Sequence, residues 1–137
     1  MTTAQEIMTT AVACVDEDET VASVARKIAD LSVGSMPIRS GEDLIGLITD
    51  RDIVVKVIAA GRDPESVTCG DIAQGEAITA SVDDDVDEIL RTMGDHQVRR
   101  LPVTEDDRLV GIVALADVAR ALPERHVGDL LKAISED

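Results

Sequence analysis

The chain has 137 residues, a length suited to one compact unit, and no window approaches the ~18 to 20 continuous apolar residues of a membrane span. Its 28 acidic residues against 13 basic ones give a formal net charge of −15, which repels nucleic acid and anionic membrane. Phe, Tyr and Trp are absent, which removes any aromatic stacking platform and leaves aliphatic side chains to hold a flat ligand.

The opening Met1-Thr-Thr-Ala-Gln-Glu6 lacks the basic and apolar regions of a signal peptide, so the cytoplasm is the expected location. Thr3-Ala-Gln-Glu6 and Thr68-Cys-Gly-Asp71 are matched capping signals, predicting short helical turns that end at Met8 and Ala73. Thr9 to Val15 and Glu76 to Val82 then read as extended segments. The acidic run Asp16-Glu-Asp-Glu-Thr20 leads into Val21, Val24, Ala25, Ile28 and Leu31, whose spacing marks an amphipathic helix. Val86, Ile89, Leu90 and Met93 repeat that spacing further on.

Met36-Pro-Ile38 and Leu101-Pro-Val103 are predicted strands, each requiring an edge or a strand end at its proline. Polar turns at Ser40-Gly-Glu-Asp43 and Glu105-Asp-Asp-Arg108 connect them to Leu44–Ile48 and Leu109–Val113 as hairpins. A helix is expected from Thr49 through Val54, Val55 and Ile58 to a stop at Gly61. A last short helix is expected from His126 to Ile134, with Leu130, Leu131 and Ile134 as its apolar face.

Gly46-Leu-Ile-Thr-Asp-Arg-Asp-Ile53 runs from an apolar strand into a helix and puts Thr49 and Asp52 three residues apart at the junction. A hydroxyl and a carboxylate on one face there can grip a sugar or a phosphate. They can equally be an N-cap and a first-turn acid with no further task. The pattern recurs at Gly111-Ile-Val-Ala-Leu-Ala-Asp-Val118, with Asp117 lying 65 positions after Asp52 and Pro102 lying 65 after Pro37. The same shift superposes Thr3 on Thr68, Ile7 on Ile72, Val21 on Val86 and Leu44 on Leu109 without a gap, which marks an internal duplication. Each half would be marginal alone, so the two are expected to form one core. The boundaries follow: residues 1–61 as the first repeat, 62–67 as linker, 68–124 as the second repeat and 125–137 as a helical tail.

Cys14 and Cys69 have no CxxC spacing, and neither His96 nor His126 stands at i, i+4 from another good ligand. They read as packed small residues, and no metal site is expected. No nucleophile, base and orienting group can be recognised together, so an enzyme is not expected.

The order helical turn, strand, helix, strand, strand, helix found twice, with the G-h-h-T-x-x-D motif at Gly46 to Asp52, resembles a tandem pair of cystathionine-β-synthase (CBS) domains, the Bateman module. That resemblance implies an α/β fold of two pseudo-symmetric β-α-β-β-α repeats packed sheet to sheet into a disc-like module, commonly a homodimer. It implies an adenosyl ligand such as AMP, ADP or ATP in a cleft between the repeats, with no required cofactor and no nucleic-acid or membrane partner. Asp52 would take the ribose hydroxyls and Thr49 the ribose or phosphate, beside Arg51. Thr10, Ala11, Val12 and the Met36, Pro37, Ile38 strand would sandwich the base. In the second copy Ile78, Leu101, Pro102 and Asp117 match, but Ala114 stands in place of Thr49 and one hydroxyl is lost. Two unequal sites are expected. Arg100, and less directly Arg99, would reach across from the second repeat to the phosphate of a ligand whose ribose Asp52 and Thr49 hold, while pairing with surface acids or a dimer contact stands as the alternative use of both. The function implied is a non-enzymatic regulatory sensor. The competing reading is a homodimeric stress or dormancy protein with a degenerate pocket, acting through a protein partner.

Overall fold

The computed structural model describes residues 2–10, 12–73 and 77–122. In chain order the elements are α1 (Ala4–Ile7), β1 (Val15–Asp16), α2 (Val21–Leu31), β2 (Ser35–Ser40), β3 (Asp43–Thr49) and α3 (Asp50–Ile53), which runs into a π-helical turn (Val54–Ile58). The second half gives α4 (Cys69–Ile72), β4 (Ala80–Ser81), α5 (Val86–His96), β5 (Arg100–Glu105), β6 (Arg108–Ala114) and α6 (Leu115–Ala121). The fold is α/β, as the duplicated pattern requires. The tail expected from His126 to Ile134 lies outside the described residues.

The chain packs as two units, one formed by Ala13–Ala77 and the other by Met1–Val12 with Ile78–Asp137. We call them the first-motif and second-motif units after Asp52 and Asp117. The division cuts across the sequence repeats, because the turn that opens each repeat packs with the other copy. In the second-motif unit Ala4 N–H donates to the Asp84 carbonyl at 2.8 Å and Val86 N–H to that of Thr2 at 3.1 Å. In the first-motif unit Val21 N–H donates to Val67 and Cys69 N–H to Glu19, both at 2.8 Å.

The expectation of one core is corrected by this arrangement: the buried hydrophobic residues form two clusters, one in each unit. Val15, Val24, Met36, Ile38, Ile48 and Val57 pack with Cys69 and Ile72 from α4. Ile89, Met93, Leu101, Val103, Val113 and Val118 pack with Ala4 and partly buried Ile7 from α1. Each half-chain is too small to cover its sheet and helices alone, and the exchanged turn supplies the missing apolar cover.

Helices α2 and α5 start at residues whose side chains accept from the third helical N–H, Thr20 from Ser23 at 3.2 Å and Asp85 from Glu88 at 2.9 Å. Both end at a left-handed residue, Ser32 with φ 55° and Gln97 with φ 54°. The hairpins match in register, Ser35 opposite Thr49 and Arg100 opposite Ala114, and each is bulged, between Ile38 and Arg39 and between Val103 and Thr104.

Three local expectations are corrected. The extended segment expected from Thr9 to Val15 carries little strand among its described residues: Thr9 bridges Ile112, Thr10 is an exposed bend, β1 begins only at Val15, and the chain changes packed unit between Val12 and Ala13. Its counterpart, expected from Glu76 to Val82, forms strand only at Ala80–Ser81 among the described residues. Pro37 and Pro102 are not on edge strands of their hairpin sheets, because β2 lies between β1 and β3, and β5 between β4 and β6. The prolines are accommodated because β1 reaches only Ile38 and Arg39, and β4 only Val103 and Thr104, leaving no ladder on that flank beside the ring.

Candidate functional site

In the first-motif unit the chain leaves β3 at Thr49 in extended conformation and turns into α3, and Thr49 and Asp52 close a capping box. Thr49 Oγ1 accepts from Asp52 N–H at 3.0 Å, and Asp52 Oδ2 accepts from Thr49 N–H at 3.0 Å. The structural role anticipated for the pair is therefore real. It leaves Asp52 Oδ1 outside the box as an acceptor, beside the Thr49 hydroxyl, both on half-buried side chains.

Oδ1 has a neighbour that the sequence reading did not single out. Lys56 Nζ stands 3.2 Å from it and donates also to the Ile72 carbonyl at the end of α4, at 3.3 Å. The i, i+4 spacing of Asp52 and Lys56 was the available signal. Partial burial pushes the Asp52 carboxyl up, but the bonds from the Thr49 backbone and hydroxyl and from Lys56 outweigh it and hold the group below its ordinary value. Arg51 is exposed. Met36, Pro37 and Ile38 are buried in β2, with Met36 and Ile38 in the core cluster.

In the second-motif unit the same junction is half-formed. Asp117 Oδ2 accepts from Ala114 N–H at 3.0 Å, and Ala114 has no hydroxyl with which to complete the box. The other carboxylate oxygen pairs with Arg120, three residues on. Ile7, Asp117, Arg120 and Ala121 line an open hollow of about 250 Å³. Arg99 and Arg100 are exposed, and the Arg99 carbonyl accepts from Leu115 N–H at 2.8 Å. Leu101 and Pro102 are buried in β5, and Ile78 packs on the core of this unit. Thr10 and Val12 belong to this unit as well, and Ala11 lies outside the described residues.

Two hairpins of matched register, each leading through an acid-bearing junction into a helix, define a tandem CBS pair. The chain belongs to the CBS domain family, whose model matches residues 4–59 and 69–124. Hypoxic response protein 1 of Mycobacterium tuberculosis is 44% identical over 135 residues, covering 98% of this chain and 94% of that protein. A crystal structure of Hypoxic Response Protein I with two coordinated zinc ions matches with a TM-score of 0.81 at 44% identity, covering 89% of this chain and all of that one. The CBS domain pair of protein MJ0100, in complex with 5′-methylthioadenosine and S-adenosyl-L-methionine, matches with a TM-score of 0.72 at 26% identity, covering 88% of this chain and 95% of that one.

Among the described residues no three His, Cys, Asp or Glu side chains are grouped to hold a metal ion. The Cys69 thiol is pushed up to about 11, by burial first and then by the charge of Glu19, and its Sγ donates to the Asp16 carbonyl at 3.0 Å.

Proposed function

We propose that the protein is a non-enzymatic regulatory module that binds an adenosyl ligand at its motif junctions, more tightly at Thr49 and Asp52 than at Asp117. The observation that carries this reading is the Asp52 carboxylate, ionised, half-buried and oriented by a capping box, with a hydroxyl beside it. Such a carboxylate accepts from a vicinal diol. At the second junction the missing hydroxyl costs about 0.5–1.5 kcal/mol, the worth of one ordinary hydrogen bond. Arg100, opposite Ala114 in the hairpin, offers that site a cation for phosphate instead. The adenosyl ligands of the MJ0100 pair support the ligand class.

Calorimetric titration with AMP, ADP and ATP tests the reading. Asp52→Ala is expected to weaken the tighter site by about 2–3 kcal/mol, the loss of charge-assisted bonds to a diol, and Asp117→Ala to weaken binding less. Equal losses would overturn the ranking of the sites. Because the chain has no aromatic residues, an adenine absorbance band in the purified protein would reveal a carried ligand directly.

A second reading is favoured by the exposure of Val54, Val55 and Ile58 and by the internal pairing of both motif carboxylates. In it the protein is a homodimer that acts in a stress response through a protein partner. Failure of every adenosyl ligand to bind would select it.

A further inference from the structure

Among the described residues Lys56 is the cation paired to the Asp52 carboxylate, and it comes from the π-helical turn that follows α3. An ammonium has three N–H donors. Two have partners, Asp52 Oδ1 at 3.2 Å and the Ile72 carbonyl at 3.3 Å. The side chain as a whole is 27% exposed, so the residue is held by the fold without being fully enclosed. The duplicated position is Ala121, and in that unit Asp117 is paired instead by Arg120, whose side chain is 72% exposed. The first junction therefore has a fixed, partly desolvated cation directly against the carboxylate, and the second has a loosely held one.

We propose that Lys56 is a specificity-determining residue of the Asp52 site, its ammonium selecting ligands that carry an anionic group next to a vicinal diol. The proposal rests on the reading that Asp52 receives the ligand's hydroxyls. The diol donates to the carboxylate, and the anion accepts from the remaining N–H of Lys56. A nucleoside 5′-phosphate satisfies both, whereas a nucleoside leaves the third donor to water. Charge complementarity points the same way, since in a chain of net charge −15 an anionic ligand needs a local cation already in place.

The test is calorimetric titration of the full chain with AMP and with adenosine at one ionic strength, for wild type, Lys56→Met and Lys56→Arg. Methionine keeps the aliphatic stem and removes the charge. The expected result for Lys56→Met is a loss of about tenfold or more in AMP affinity with adenosine changed less than about twofold, and for Lys56→Arg a recovery of most of the AMP affinity. Equal losses for AMP and adenosine would overturn the proposal and make Lys56 a prop for Asp52, as would a lowered melting temperature with no change in ligand preference. Unchanged AMP affinity would overturn it too. If the wild type binds neither compound, the adenosyl-binding reading itself is wrong and the role of Lys56 falls with it, whereas adenosine binding with no preference for AMP leaves that reading standing and removes only the proposal.

Discussion

Asp52 caps α3 and, in the proposed function, meets a ligand as a carboxylate, and the bonds from Thr49 and Lys56 that lower its pKa favour that charged form. Sign matters here: because the folded chain holds the carboxyl below its ordinary value, the pairing stabilises the fold fully above the ordinary aspartate value of about 3.9. That contribution is lost as pH falls through the lowered folded value. Melting followed by far-ultraviolet circular dichroism is expected to show Asp52→Asn less stable than wild type at neutral pH, with the gap closing below about pH 4. A gap of the same size in acid would mean that the amide disrupts packing rather than charge. Glu19 behaves in the same sense, since its bonds to Lys27 at 2.8 Å and Ser23 at 3.1 Å outweigh the cost of its partial burial.

Between elements, the closest fit lies where the opening turn of one repeat meets the motif strand with which it packs. Thr9 and Ile112 exchange backbone bonds at 2.8 and 2.9 Å, which brings the chain against Gly111 in β6. A Cβ on Gly111 would sit 2.5 Å from Met8 Sδ and 3.1 Å from the Thr9 carbonyl oxygen. At the matching Gly46 it would meet only the Ala73 Cβ, at 3.5 Å, an ordinary contact. Gly111→Ala is therefore expected to destabilise by about 1–3 kcal/mol through overpacking, and Gly46→Ala by clearly less. Denaturant titrations of the two variants make the comparison, and equal effects would show that the asymmetry of the two junctions is relieved by movement of Met8. The motif glycine is thus legible in the sequence as a repeated residue, but its reason is tertiary, a neighbouring segment that no local pattern announces.

For the molecule as a whole, the apolar residues left outside both clusters are informative. Val54, Val55 and Ile58 are 57%, 51% and 57% exposed on consecutive turns of one element, a clustering that solvated surfaces avoid. If this face closes the proposed homodimer, light scattering at micromolar concentration should give a dimer mass for the wild type and a monomer mass for Val55→Glu with Ile58→Glu. A wild-type monomer would remove the homodimer. Among the described residues no helix is long and apolar enough to cross a membrane.

The sequence by itself determined the duplication, the helices α2 and α5, the two hairpins and the family, because each follows from local periodicity or from a motif that recurs at one fixed spacing. Thr49 and Asp52 were legible for the same reason: a capping box is a three-residue device, complete within its own turn. What only the tertiary structure decided is which segments pack together. That the opening turn of each repeat joins the core of the other copy, that Pro37, which has no N–H, sits in the middle strand beside a neighbour too short to need a donor there, and that Lys56 bridges Asp52 to the end of α4 all depend on long-range partners. Burial of apolar surface selects those partners, and it acts between residues whose distance along the chain carries no pattern to read.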